Sequence, residues 1–173
     1  MSSDFKKNSV AKRVAYYGVF TTLAIIASYI ERLVAVPIAV PGIKLGLANV
    51  VVIITLYAAG IRPALAVNIL RIVLVGFMFG SVTGIIYSLS GGFLSFVLML
   101  GAKRINLFGV VGVSVVGGVF HNLGQISMAV LVVENPRLFY YAPVLIVFGV
   151  ITGVIIGFTA GYTLRHMEVI KRL

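Results

Sequence analysis

The chain has 173 residues, of which 61% are hydrophobic and 10% are charged, a composition far outside that of soluble domains. Its net charge of +10 comes from basic residues that lie between apolar runs and not on one polar face, which argues against nucleic acid as a partner. The absence of cysteine from the sequence excludes disulfides, thiolate metal sites and thiol catalysis. We therefore expect an integral membrane protein with no cofactor, surrounded by membrane lipid.

Polar residues divide the chain into six apolar stretches, and a helix needs about 20 mostly apolar residues to cross the hydrocarbon core. The stretches predict helices at 14–33, 45–60, 63–80, 84–101, 107–132 and 140–164. The second is short, and the third and fourth are separated by so few residues that they must form a tight hairpin. Residues 1–173 are thus predicted to form a single integral membrane domain, an all-α bundle of six transmembrane helices.

The basic residues predict the orientation of this bundle. With both termini on the inner side, the inner segments carry Lys6, Lys7, Lys12, Arg13, Arg62, Lys103, Arg104, Arg165, Lys171 and Arg172. The outer segments carry only Arg32, Lys44 and Arg137. Because cytoplasmic loops of membrane proteins are enriched in Lys and Arg, we predict a multi-pass protein of the cell membrane with cytoplasmic N- and C-termini.

The last helix contains four glycines at four-residue spacing: Gly149, Gly153, Gly157 and Gly161. Glycines repeated in this way form one narrow face that lets another backbone approach closely. We predict that this face packs against a neighbouring helix, with a partner-docking surface or the wall of a ligand site as the alternatives.

The first helix carries a weaker stripe of small residues: Ala11, Ala15, Gly18 and Thr22. Such a stripe suits packing inside the bundle, and it equally suits docking onto another membrane subunit. Composition alone leaves both interpretations open.

The loop between the first two helices is rich in irregular features. Pro37 and Pro41 stiffen it and deny it a regular helix, and Lys44 follows an otherwise apolar run. Two interpretations stay open, a lid over a cavity and a plain connection that lies against the bundle.

Arg71 lies about eight residues into the third predicted helix, near mid-membrane. A charge there costs at least roughly 2.5–3.5 kcal/mol and needs a partner or a wet cavity. Asn68 shares its face, and the fifth helix carries His121, Asn122 and Gln125 at comparable depth. These residues form either a network that locks helices together or a pocket whose arginine binds an anionic or carbonyl-rich ligand. A proton relay through His121 is a third alternative.

The acidic residues argue against catalysis. Asp4, Glu31, Glu134 and Glu168 occur singly, whereas phosphate and glycoside chemistry needs paired carboxylates or a magnesium cluster. His121 and His166 are too far apart in sequence for a helical metal-binding pair. We therefore predict neither a catalytic site nor a metal site.

Two motifs carry a resemblance to a known family: residues 41–49, PGIKLGLAN, and residues 121–125, HNLGQ. With them the chain resembles the membrane proteins catalogued as heptaprenyl diphosphate synthase component I, or the Gx transporter family. More distantly, its six short helices resemble the substrate-binding S-components of energy-coupling factor (ECF) transporters.

The resemblance implies a membrane subunit that binds a small molecule and takes energy from an ECF-type coupling subunit and its ATPases, with the first helix as docking site. It implies ligand contacts at Lys44, Asn49, His121, Asn122 and Gln125, and Arg71 joins them as a candidate. The mostly aliphatic outer half suits an apolar or isoprenoid-related substrate. The alternative is a non-catalytic subunit of a prenyl, quinone or flavin-linked electron-transfer system.

Overall fold

The computed structural model describes residues 2–33, 46–105 and 108–172, and the secondary structure of this part of the chain is helical. Six α-helices follow one another: α1 (Ser2–Leu33), α2 (Leu47–Ala58), α3 (Ile61–Phe79), α4 (Val82–Ile105), α5 (Val110–Val133) and α6 (Ala142–Arg172). A short 3-10 helix, Pro136–Tyr141, precedes α6.

The order and kind of the elements match the sequence-based prediction, but several boundaries were wrong. Helix α1 begins at Ser2 and α6 runs to Arg172, because the polar ends of both helices continue the backbone hydrogen bonding beyond their apolar centres. Helix α4 is longer at both ends than predicted. The predicted loop with its lid, and Lys44 within it, fall in residues 34–45, which lie outside the described residues.

Five of the described helices, α1, α3, α4, α5 and α6, contain a segment long and apolar enough to cross a membrane. Helix α2 is apolar but has only 12 residues, which at 1.5 Å per residue gives about 18 Å, against about 30 Å of hydrocarbon. The prediction of a bundle of six apolar helices is confirmed, but in the described part of the chain five of them, and not six, are long enough to cross a membrane.

The helices form two groups. Helix α5 packs extensively on α4 and on α6, and we call α4–α6 the C-terminal half; α1, α2 and α3 pack on one another, and we call them the N-terminal half. The contacts between α2 and α6 and between α3 and α4 join the two halves. Large apolar side chains such as Phe77, Phe93 and Phe158 are exposed on the outside, as expected where lipid and not water is the solvent.

Helix α2 is the buried centre of the fold. Val52, Ile53 and Leu56 are each at most 2% exposed, and they belong to a core cluster with residues of α3, α4, α5 and α6. A helix that is hydrophobic on all sides belongs in the interior. Its few polar side chains, including Asn49 in the first turn, are therefore presented to the neighbouring helices.

Both ends of α2 are stabilised by charged side chains from other helices. At the N-terminus, a carboxylate oxygen of Glu31 accepts a hydrogen bond from the N–H of Gly46, a glycine in the left-handed region at φ 76° that other residues rarely adopt. At the C-terminus, Lys103 Nζ donates to the carbonyl of Leu56 at 2.9 Å and lies 4.3 Å from the ring centroid of Tyr57. An acid at the N-terminus and a base at the C-terminus complement the helix dipole, and they satisfy backbone groups that cannot reach water.

The closest helix contact joins α5 and α6 along the glycine face. A Cβ added to Gly153 or Gly157 would lie 2.6 Å from the Cα of Val115 or Val111, and one added to Gly149 would lie 2.8 Å from the Cα of Val119. Gly161 is different, because an added Cβ there would meet nothing within 4 Å in the described part of the chain. Three of the four glycines thus pack against α5.

Candidate functional site

Arg71 lies at the centre of a hydrogen-bonded group between α2 and α3. Its Nη2 donates to Asn49 Oδ1 at 2.7 Å and to Asn68 Oδ1 at 3.0 Å, and its Nε donates to Asn68 Oδ1 at 3.2 Å. Asn68 in turn donates to the carbonyl of Gly92 on α4 at 3.3 Å. The arginine therefore links α3 to α2 directly and to α4 through one asparagine.

The charge of Arg71 is balanced by an acid at the end of α1. The Glu31 carboxylate interacts electrostatically with the guanidinium, while it also accepts the hydrogen bond from Gly46 at the start of α2. Glu31 thus interacts with both the arginine and the N-terminus of α2. An arginine in an apolar bundle persists because hydrogen-bond acceptors and a nearby opposite charge compensate its partial burial.

Within the described part of the chain, Arg71 does not use all of its hydrogen-bond donors. Its three hydrogen bonds there involve Nε and Nη2, and no described residue accepts a hydrogen bond from Nη1. The side chain is half-buried. A guanidinium held on one edge by two asparagines can use its other nitrogen for a planar anion or a carbonyl oxygen.

A small cavity, lined by apolar residues and by several polar side chains, adjoins this group at the junction of the two halves. Its polar lining comes from Asn49, Asn68, Ser95, Ser114 and His121, on α2, α3, α4 and α5. The cavity leaves about 10 Å³ for the centre of a water-sized sphere, which is room for about one water molecule. Since Asn49 and Asn68 also hold Arg71, the cavity and the arginine belong to one site.

The structure places the predicted site residues in different environments. Asn49 and Arg71 are in direct contact, and His121 lines the adjoining cavity. Asn122 instead donates to the carbonyl of Leu145 at 2.8 Å and so joins α5 to α6. Gln125 lies at the contact of α4 with α5, where its Cγ would be 2.7 Å from a Cβ added to Gly91.

One expectation about Arg71 was wrong. Sequence reasoning offered Asn68, His121 or Gln125 as its acceptors and so linked α3 to α5, whereas the observed acceptors are Asn68 and Asn49. Asn49 is 22 positions away in sequence, and only the packing of α2 against α3 brings it near. Glu31 and Ser114 were not predicted as part of the site, and no motif marks either of them.

The stripe on α1 lies on the outside of the bundle. Ala11, Ala15, Gly18 and Thr22 are all exposed, whereas Ala24 and Thr21 on another face of α1 are buried. A Cβ added to Gly18 would meet nothing within 4 Å among the described residues. The stripe is thus not used for packing within the described part of this chain.

Apolar helices of spanning length around a hydrogen-bonded arginine define the class as a small helical membrane protein. A family model described as heptaprenyl diphosphate synthase component I matches residues 20–163, and the chain belongs to this family. No curated protein and no solved structure shows a significant match to the chain.

Proposed function

We propose that this protein is the substrate-binding membrane subunit, similar to an S-component, of a transporter that takes up a small molecule with energy from partner subunits. The observation that carries the proposal is the group of Arg71, Asn49 and Asn68 beside a cavity with several polar side chains in its lining, at the junction of two helix groups. A purely structural arginine needs no such cavity. A binding subunit needs both a recognition group and a joint that opens.

The chemistry of the site suggests the kind of molecule. Nη1 of Arg71 suits a carboxylate, a phosphate or a carbonyl oxygen, while the helices around it are mostly aliphatic. An isoprenoid-related or otherwise apolar molecule with one polar or anionic end fits both features. Because the cavity has room for about one water molecule, such a molecule requires the two halves to separate.

A role as catalytic subunit is poorly supported. Among the described residues no group of three or more His, Cys, Asp or Glu side chains could hold a metal ion, and the whole sequence has only four acids. A prenyl diphosphate synthase holds magnesium with clustered aspartates. We propose a non-catalytic role, whatever the family description says of a synthase.

The proposed orientation places both termini in the cytoplasm of a cell-membrane protein. Lys103 near the end of α4 contacts the C-terminal end of α2. The basic residues at the end of α4 and those just after α2 therefore lie on the same side of the membrane, which supports the orientation predicted from the distribution of Lys and Arg. With no native cysteine, Arg104→Cys and Arg137→Cys provide a matched pair of exposed positions. We expect an impermeant thiol reagent to label Arg137→Cys on intact cells and Arg104→Cys only after permeabilisation. The reverse pattern would contradict the orientation.

The exposed stripe on α1 is the proposed docking site for an ECF-type coupling subunit. Its small residues would let a partner helix approach closely, and the described part of the chain does not cover them. Gly18→Leu should therefore leave the monomer stable but abolish co-purification of the coupling subunit and its ATPases from native membranes.

Gly161→Leu is the matched control for the docking experiment, because an added Cβ at Gly161 is equally unobstructed within the described residues. Pull-downs analysed by mass spectrometry should recover the same partners from the control as from the wild type. Equal recovery from both variants would exclude α1 as the docking surface. Failure to recover any ATPase from wild type would argue against the transporter itself.

A second candidate function follows from the family description, heptaprenyl diphosphate synthase component I. The chain would then be a non-catalytic membrane subunit of a prenyl or quinone system, or of flavin-linked electron transfer. In that case a prenyltransferase or a redox protein, and not a shared ATPase module, would be recovered in the same pull-down.

A further inference from the structure

Most Ser and Thr hydroxyls on the described helices donate to an acceptor within the protein. A Ser or Thr on a helix can donate to the carbonyl four residues earlier, and six described side chains do so: Ser28, Thr55, Ser127, Thr152, Thr159 and Thr163. Ser90 and Ser95 instead donate across the α4–α5 contact to the carbonyls of Gly124 and Gly117. Among the buried Ser and Thr hydroxyls in the described part of the chain, those of Thr55, Ser95 and Thr152 have acceptors, whereas those of Thr21 and Ser114 have no partner.

Ser114 is one of these two residues, and unlike Thr21 it lines the cavity of the candidate site. It is 2% exposed, and within the described part of the chain its Oγ has no hydrogen-bond partner. Ser114 Cβ lies close to α6, since a Cβ added to Gly157 would be 3.0 Å from it. Alanine has the same Cβ, so this contact does not explain the hydroxyl.

The location of Ser114 suggests what its hydroxyl is for. Ser114 lines the cavity at the junction of the halves, together with Asn49, Asn68 and His121. A buried hydroxyl left without a partner costs free energy, whereas a water-sized group with two or more polar neighbours would satisfy it. The space of about 10 Å³ admits one such group.

We propose that this cavity is a binding site for one neutral, water-sized polar group, which Ser114 holds by a hydrogen bond. In the protein without a carried molecule, the group is a water that bridges Ser114 to the asparagines of the Arg71 site. When the halves separate, a hydroxyl or carbonyl oxygen of the carried molecule takes its place, a step that rests on the proposed function. The carried molecule then has a neutral oxygen near the end that Arg71 recognises.

Whether Ser114→Ala lowers or raises the melting temperature tests the site. If a polar group fills the cavity, Ser114→Ala removes its anchor and should lower the apparent melting temperature in detergent by about 2–4 °C, the scale set by one lost hydrogen bond. If the hydroxyl has no hydrogen-bond partner, Ser114→Ala removes an unsatisfied polar group. A melting temperature equal to or higher than that of wild type would therefore overturn the proposal. Ser127→Ala is the control, because Ser127 donates within its own helix, and it should change the melting temperature little.

Exhaustive washing in detergent separates the two sources of the polar group. A loss of stability in Ser114→Ala that persists after washing supports the bridging water, whereas a loss that disappears shows that only the carried molecule fills the cavity and overturns the water site. If the group is water, a density map of washed wild-type protein that resolves waters should show density within hydrogen-bonding distance of Ser114 Oγ. An empty cavity together with no effect of Ser114→Ala before washing would overturn the site. If the water site is confirmed but no ATPase co-purifies with the wild-type protein, this inference stands and the transporter proposal fails.

Discussion

Gly153→Leu should strongly destabilise the protein, because it places a branched side chain where even a Cβ would lie 2.6 Å from the Cα of Val115. The obstacle is backbone, which cannot rotate away, so α5 and α6 must separate. Overpacking costs typically 1–3 kcal/mol where neighbours can adjust, and here two helices in extensive contact must move. We expect a large fall in melting temperature or no folded monomer, measured by heating in detergent followed by size-exclusion chromatography.

Two further variants make this test specific. Gly153→Ala adds only the Cβ and should give a smaller loss, because the helices need to shift less. Gly161→Leu introduces the same side chain on the same helix where nothing in the described chain obstructs it, and should melt close to wild type. If Gly153→Leu also melts like wild type, the close contact of α5 and α6 is contradicted.

The glycine spacing on α6 illustrates what sequence can and cannot predict. Four-residue spacing puts the glycines on one face and so predicts close packing, but it does not say where the partner helix ends. Gly157 already faces Val111, and α5 begins at Val110. Gly161 lies one turn further on, past the start of α5. The length of the contact thus depends on where α5 begins, which the glycine spacing on α6 does not indicate.

Helix α2 shows the same limit for a candidate site. The apolar run predicts a helix and also shows that this helix is short. Capping by Glu31 from α1 and Lys103 from α4 depends on tertiary packing, which the run does not indicate. The same packing brings Asn49 to Arg71. Local spacing therefore predicted Asn68 as a partner one turn away, and could not predict Asn49 or Ser114.

Arg71 should be required for both stability and ligand binding, and different substitutions should separate the two. Arg71→Ala leaves the Oδ1 atoms of Asn49 and Asn68 without their donors and leaves Glu31 without the charge that attracts it. Each unsatisfied buried acceptor costs about 1–3 kcal/mol, so we expect a marked fall in melting temperature. Arg71→Gln keeps N–H donors that reach Asn68 one turn away, and should recover part of that loss.

The charge of Glu31 provides a second check on the stability argument. If the attraction between Glu31 and Arg71 matters, the double variant Glu31→Gln/Arg71→Gln should be more stable than the sum of the two single effects predicts. Additive effects would show that the two charges are not coupled. Arg62→Gln, at an exposed position in the first turn of α3, is the control for loss of an arginine charge and should melt like wild type.

Ligand binding should respond differently from stability. Arg71→Gln should fold and yet lose small molecules that co-purify with wild type, because neutral donors cannot replace a charge-assisted contact with an anion or carbonyl oxygen. Arg71→Lys keeps the charge without the planar fork and should retain them weakly. Mass spectrometry of extracts from equal amounts of folded protein measures this retention. If Arg71→Gln retains the same molecules as wild type at the same level, Arg71 serves the joint between α2 and α3 alone, and the ligand is recognised elsewhere.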